Sequence, residues 1–125
     1  MEEKNFIKIA QLKPAKRGLN IRALVLEKGD TVEGISRKTG TQYRLAEVVL
    51  GDETGIVKAT LWGGTIEKVE VNETYDFENV DTTIFRNALR VNISDKSTIT
   101  KSEQGISRDS VDTSNDMSRS RGRRG

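Results

Sequence analysis

The chain has 125 residues, 34% of them hydrophobic and 32% charged, with a formal net charge of +2, which leaves room for one domain with a modest core. It contains neither cysteine nor histidine, so disulfides, thiolate zinc sites, cysteine nucleophiles and imidazole-based triads are all excluded. No apolar run reaches the roughly 18 residues a membrane span needs, and Met1-Glu2-Glu3-Lys4-Asn5 leads into no apolar signal segment; a cytoplasmic protein without membrane contact is expected.

In chain order, the run at residues 5–12 sets Phe6, Ile9, Ala10 and Leu12 toward one helical side, and Pro14 ends it. Leu19, Ile21, Ala23 and Val25 then alternate with Asn20, Arg22, Leu24 and Leu26. That predicts a strand whose far end is apolar on both faces. Residues 29–42 form a loop rich in glycine and hydroxyls, and it carries Arg37 and Lys38. Residues 44–50 and 56–62 predict a hairpin across Gly51-Asp52-Glu53-Thr54-Gly55. The acid pair of that turn is expected to face solvent and to hold no metal. Residues 63–71 are mixed, with Ile66 and Val69 three apart, and suit a short helical link. Residues 75–85 and 88–93 give two more strands, turned by Arg86-Asn87.

From residue 101 onward the only large aliphatics are Ile106, Val111 and Met117. Such a segment offers little apolar surface against its ordering entropy, so residues 101–125 are expected to be a disordered tail. Its removal is expected to leave the thermal transition nearly unchanged. The domain is then residues 1–100. Charge follows the same division. Residues 1–100 hold 15 basic and 15 acidic side chains, whereas residues 101–125 hold 6 and 4, including four arginines in the last seven positions. Any polyanion bound by the neutral body must meet one locally basic face.

Five strands with a short helical link between the third and fourth suggest an all-β fold, the five-stranded Greek-key barrel of the OB type. An SH3-like barrel matches the strand count but has no place for the link. Parity then assigns faces. Val57, Ala59 and Leu61 point inward, which turns Lys58, Thr60 and Trp62 outward. Leu89, Val91 and Ile93 point inward, leaving Arg90 and Asn92 outside. In the fourth strand Asp81, Thr83 and Phe85 share the side opposite Val80, Thr82 and Ile84. Phe77 has the parity of Phe85, so a bulge between Glu78 and Val80 is expected to return it to the core. Aromatic platforms interleaved with cations suit single-stranded nucleic acid: π-faces for bases, charges for phosphates. A packing role for Trp62 at its strand end is the competing reading.

Several segments together resemble a known family. They are Ile9-Ala10-Gln11-Leu12-Lys13-Pro14, Leu19-Asn20-Ile21, Glu47-Val48-Val49-Leu50-Gly51-Asp52-Glu53-Thr54-Gly55 and Val57-Lys58-Ala59-Thr60-Leu61-Trp62-Gly63. They look like the archaeal single-stranded DNA-binding proteins with one OB-fold, relatives of replication protein A, over about residues 6–95. The resemblance implies that Trp62 and Phe85 stack bases, that Arg86 is a basic neighbour, and that the loop of Arg37 and Lys38 closes over the strand. With parity it gives the expected nucleic-acid-binding set: Trp62, Phe85, Lys58, Thr60, Arg86, Arg90, Asn92, Arg37, Lys38 and Arg44. The family usually has another aromatic four residues before the phenylalanine; Asp81 stands there. The expected function is non-enzymatic protection of single-stranded DNA in replication, recombination or repair, with no cofactor. The alternatives are an OB-fold subunit that docks replication or repair proteins, and a protein of the same type for single-stranded RNA.

Overall fold

A computed structural model describes residues 5–118. Seven strands form one antiparallel-rich sheet: β1 (Leu19–Lys28), β2 (Val32–Ile35), β3 (Gln42–Asp52), β4 (Gly55–Trp62), β5 (Thr74–Phe85), β6 (Ala88–Ile93) and β7 (Thr98–Lys101). The order is β1-β3-β4-β6-β5-β7, with β2 on β3. The C-terminal half of β1 pairs with β3 and its N-terminal half with β5, from Leu19 opposite Val80 to Leu24 opposite Thr74. Residues Gly63–Lys68 make a 3-10 segment between β4 and β5, where the amine of Lys28 donates to the carbonyls of Ile66 and Val69 at 2.7 and 2.8 Å.

The strand count differs from the expected five for two reasons. The segment read as a glycine-rich loop contains β2, which pairs with the start of β3 as a protruding hairpin turned at residues 36–41. Its four residues carry too little alternation to register as a strand. β7 is equally short and gains its partners from the edge of β5, residues Tyr75–Glu78.

Inward parity is as the sequence assigns it. Val57, Ala59, Leu61, Val91 and Ile93 are fully buried with Ile21, Ala23, Val25, Val48 and Leu50. The bulge in β5 is present. Leu19 lies opposite Val80 while Ile21 lies opposite Phe77, and Asn79, the residue in excess, takes φ 61°. Phe77 and Val80 are therefore both in the core. At the strand's far end Ile84 and Phe85 are both exposed, because β5 runs past the core there. The N-terminal run forms only a 3-10 turn, Ile9–Gln11, which buries Ile9 and Leu12 but leaves Ala10 exposed.

Asp52 corrects the expectation of a solvent-facing acid pair. It is 2% exposed and accepts the amide of Ile9 at 3.0 Å and the amide and hydroxyl of Thr54 at 2.8 and 2.6 Å. It thereby pins the N-terminal turn to the β3–β4 hairpin; Glu53 remains at the surface, paired with Lys8.

The segment expected to be disordered also departs from expectation as far as Ser118. Val111 is buried against Leu24 and Leu26, with Val49, Ile56 and Ile106 around them. A Cβ on Gly51 would lie 2.7 Å from Val111 Cγ1, so the bare backbone there admits the crossing segment. Arg108 donates to the Leu26 carbonyl at 2.7 Å and to Asn72 at 2.6 Å. The segment then lies along β4: the Ile56 amide donates to Asn115 O and the Met117 amide to Ile56 O, at 2.9 and 2.8 Å. Three aliphatics suffice because Leu24 and Leu26, flanked by Val49 and Ile56, offer an apolar face for the segment to cover. Residues 119–125, with the four arginines, lie outside the described residues.

Candidate nucleic-acid interface

The outward residues of four neighbouring strands form one face. Register places Leu45 beside Trp62, Glu47 beside Thr60 and Val49 beside Lys58. Across β4, Thr60 lies beside Asn92 and Lys58 beside Arg90. Across β6, Asn92 lies beside Asp81, Arg90 beside Thr83 and Ala88 beside Phe85. Trp62 and Phe85 thus stand at two ends of a groove of about 320 Å3, lined between them by Leu45, Glu47, Thr60, Thr83, Arg90 and Asn92. A second open concavity, about 620 Å3, continues on the other side of Trp62 along Tyr43, Gly63, Asp95 and Lys96.

Each aromatic is held by a specific neighbour. The Trp62 indole N–H points to Asn92 Oδ1 at 3.4 Å, and Tyr43 meets the indole edge-on, with centroids 6.2 Å apart at 63°. Tyr43 reaches this position by lying across Gly34 of β2, where a Cβ would fall 2.5 Å from its hydroxyl. Phe85 is 50% exposed, and the guanidinium groups of Arg86 and Arg90 lie 5.2 and 5.3 Å from its centroid. Arg86 and Asn87 both have positive φ, as a tight two-residue hairpin turn requires.

Of the ten expected residues, seven meet on this face or at its rim: Trp62, Phe85, Lys58, Thr60, Arg86, Arg90 and Asn92. Thr60 is nearly buried in the groove floor. Arg44 has the opposite parity, yet it lines the second concavity beside Tyr43 and Trp62. Its guanidinium makes a two-pronged pair with Glu67 at 2.9 and 3.1 Å and donates to Gly63 O, so it fastens β3 to the 3-10 segment. That pair holds the Glu67 carboxyl below its ordinary value. Arg37 and Lys38 sit at the exposed tip of the β2–β3 hairpin. Tyr43, Glu47 and Lys96 were missed. Parity would have found the first two: with Ala46, Val48 and Leu50 inward, Tyr43, Leu45 and Glu47 face out.

Among the described residues, two cations of the face are engaged by carboxylates, whereas Lys58 and Arg86 are not. Arg90 pairs with Glu47 across the top of β4, and Lys96 pairs with Asp81 at 2.6 Å. Asp81 also accepts the Gly18 amide at 3.3 Å. The Lys96 ammonium holds the Asp81 carboxyl below its ordinary value, against the opposing effect of partial desolvation. Among the described residues, no group of three acidic side chains is placed to hold a metal ion, and no helix is long and apolar enough to cross a membrane.

Comparison with known proteins identifies the family and the fold. The family described as single-stranded DNA binding protein Ssb-like, OB fold, matches residues 12–101. The single-stranded DNA binding protein Ssb of Saccharolobus solfataricus is 35% identical over 107 residues, covering 85% of this chain and 68% of that protein. A hypothetical protein of Arabidopsis thaliana superposes with a TM-score of 0.74 at 22% identity, covering 99% of this chain and 90% of the other. The second OB-fold domain of replication protein A from Methanococcus maripaludis gives 0.67 at 21% identity, with 82% and 100% covered. Sequence and fold together establish that this chain belongs to the Ssb-like family of OB-fold single-stranded DNA-binding proteins.

Proposed function

We propose that the protein binds and protects single-stranded DNA, without catalysis and with little base preference, by laying the strand along the groove from Phe85 past Trp62 toward Tyr43 and Lys96. The observation that carries this reading is the placement of Trp62 and Phe85 on one outward face, joined by a groove with Arg90 and Asn92, with Lys58 beside Arg90 on the neighbouring strand. Stacking is sequence-tolerant because every base has a π-face. Membership of the Ssb-like family supports the same ligand. The five longest strands return on themselves through the β1–β5 pairing, which supports reading them as the Greek-key barrel, with the 3-10 segment as its link. Roles in replication, recombination or repair accord with a ligand that exists only while a duplex is open.

The test is a titration of tryptophan emission with oligo-dT, the matching RNA and a duplex, each at two salt concentrations. Quenching by oligo-dT with no response to duplex is expected; equal response to all three overturns the reading, and preference for RNA transfers it to that polymer. A second reading, docking of a replication or repair protein, draws on exposed Val32 and Ile35 in β2, 51% and 63% accessible.

Two variants test the edges of the site. Asp81→Tyr removes the carboxylate that engages Lys96 and sets an aromatic beside the groove. Single-stranded binding is expected to tighten by about 1 kcal/mol or more, from one added stacking contact. Unchanged binding by a folded variant would place Asp81 off the ligand path. Removal of residues 119–125 is expected to weaken binding and flatten its salt dependence, by up to about 0.7 in slope for each arginine that meets a phosphate. Ser118, the last described residue, accepts the Lys58 amide at 2.8 Å and donates to the Leu89 carbonyl, so the described chain ends against β4 and β6, two strands of the face. An identical slope with and without the arginines would assign them to something other than the strand.

A further inference from the structure

We propose that Glu47 is an internal competitor for the nucleic acid: its carboxylate occupies the guanidinium of Arg90 in the free protein, and a bound strand must take that guanidinium over. This inference rests on the groove being the single-strand site. Glu47 on β3 and Arg90 on β6 are separated by β4, so their pair bridges the groove between Lys58 and Thr60. A strand laid from Phe85 to Trp62 passes directly over it. Carboxylate and phosphate present the same paired-oxygen geometry to a guanidinium, so they compete for one partner.

Two further features mark Arg90 as a group held in waiting. Its side chain is only 17% exposed, yet Nε is buried with no hydrogen-bond partner, the one such side-chain atom among the described residues. Buried donors are nearly always satisfied, and a lone exception calls for an explanation. The guanidinium also lies against the Phe85 ring, 5.3 Å from its centroid. Rotation off Glu47 toward a phosphate would bring Nε to a partner and clear that face of Phe85 for a base. Glu47, 49% exposed, would return to water at little cost. A purely structural cross-strand ion pair predicts none of this: its loss would leave ligand affinity where it was.

The experiment compares wild type, Glu47→Gln, Glu73→Gln and Glu47→Gln with Arg90→Gln by anisotropy of a labelled oligo-dT across a salt series, with thermal melts of each. Glu47→Gln should bind about fivefold or more tightly at low salt, with the log–log salt slope unchanged, because the strand meets Arg90 in both complexes and only the cost of displacing the carboxylate is gone. Glu73→Gln removes an equal charge at Lys101, which lines neither concavity, and should stay within twofold of wild type. The added Arg90→Gln change should abolish the gain. Unchanged or weaker binding by Glu47→Gln, or an equal gain from Glu73→Gln, overturns the competitor role. Absence of binding by wild type instead overturns the reading of the groove itself.

Discussion

Trp62→Ala should weaken single-stranded DNA binding by about 1–3 kcal/mol while leaving the fold intact, the range for loss of one stacked base. The indole stands at the end of β4 on the outward face, between the two concavities, so a strand that follows both must cross it. Its contacts are peripheral: the edge of Tyr43 and the Asn92 carboxamide. The buried residues of the same strand, Val57, Ala59 and Leu61, face the other way and keep their neighbours. Anisotropy of a labelled oligonucleotide measures the affinity, since the variant has lost its only tryptophan, and a far-UV melt measures the fold. A cooperative transition lowered by many degrees, with no folded variant to titrate, would show that the indole packs rather than stacks. Phe85→Ala should give a smaller loss, because both arginines beside the ring remain to meet phosphates or stack on bases themselves.

Deletion of residues 102–125 should lower stability by on the order of 3 kcal/mol, a fall of roughly 10 °C in the midpoint for a domain of this size. The deletion uncovers Leu24 and Leu26 and removes Val111 from the small cluster they form. Full burial of such a side chain contributes about 1.5–3 kcal/mol each, offset in part by the entropy of ordering the segment. The Asp112 amide bond to Asp52 O and the Arg108 bond to Leu26 O are lost with it. Val111→Ser in the full chain should reproduce part of the loss. A truncated protein that melts where the full chain does would show that the segment only rests on the surface, as its composition alone suggests.

That segment shows where the sequence was readable and where it was not. Alternation at period two located β1, β3, β4, β5 and β6, because each strand has one face in the core and the pleat writes that into every second residue. The bulge at Asn79 was readable too, since Phe77 and Val80 cannot both be buried without an extra residue between them. Elements that borrow their order from a neighbour were not. β2 and β7 take their hydrogen bonds from β3 and β5 and carry little pattern of their own. Residues 102–118 look like a solvated tail because the apolar surface they cover belongs to β1. The clue lay there, in Leu24 and Leu26 facing away from the core. Within the site, parity placed Trp62, Lys58, Arg90 and Asn92, but it could not show which cations were already engaged. Arg44 and Arg90 look alike in sequence; one fastens β3 to the 3-10 segment and the other lies in the groove.

The engagement of Arg90 by Glu47, Lys96 by Asp81 and Arg44 by Glu67 has a kinetic consequence. Cations cancelled at contact distance add little field beyond a Debye length, about 8 Å at physiological ionic strength, which leaves Lys58 and Arg86 to supply most of what the described face projects. An approaching strand is then drawn in only weakly, and encounter proceeds closer to the unsteered range of about 10⁵–10⁶ per molar per second than to the 10⁸ or more of strongly charged partners. Occupancy is decided after arrival, by how long the stacked bases stay. Lifetimes set by ring contacts are less exposed to added salt than those set by phosphate pairs, so a complex of this kind forms unhurriedly and persists in brines that would strip a cationic coat from the same strand.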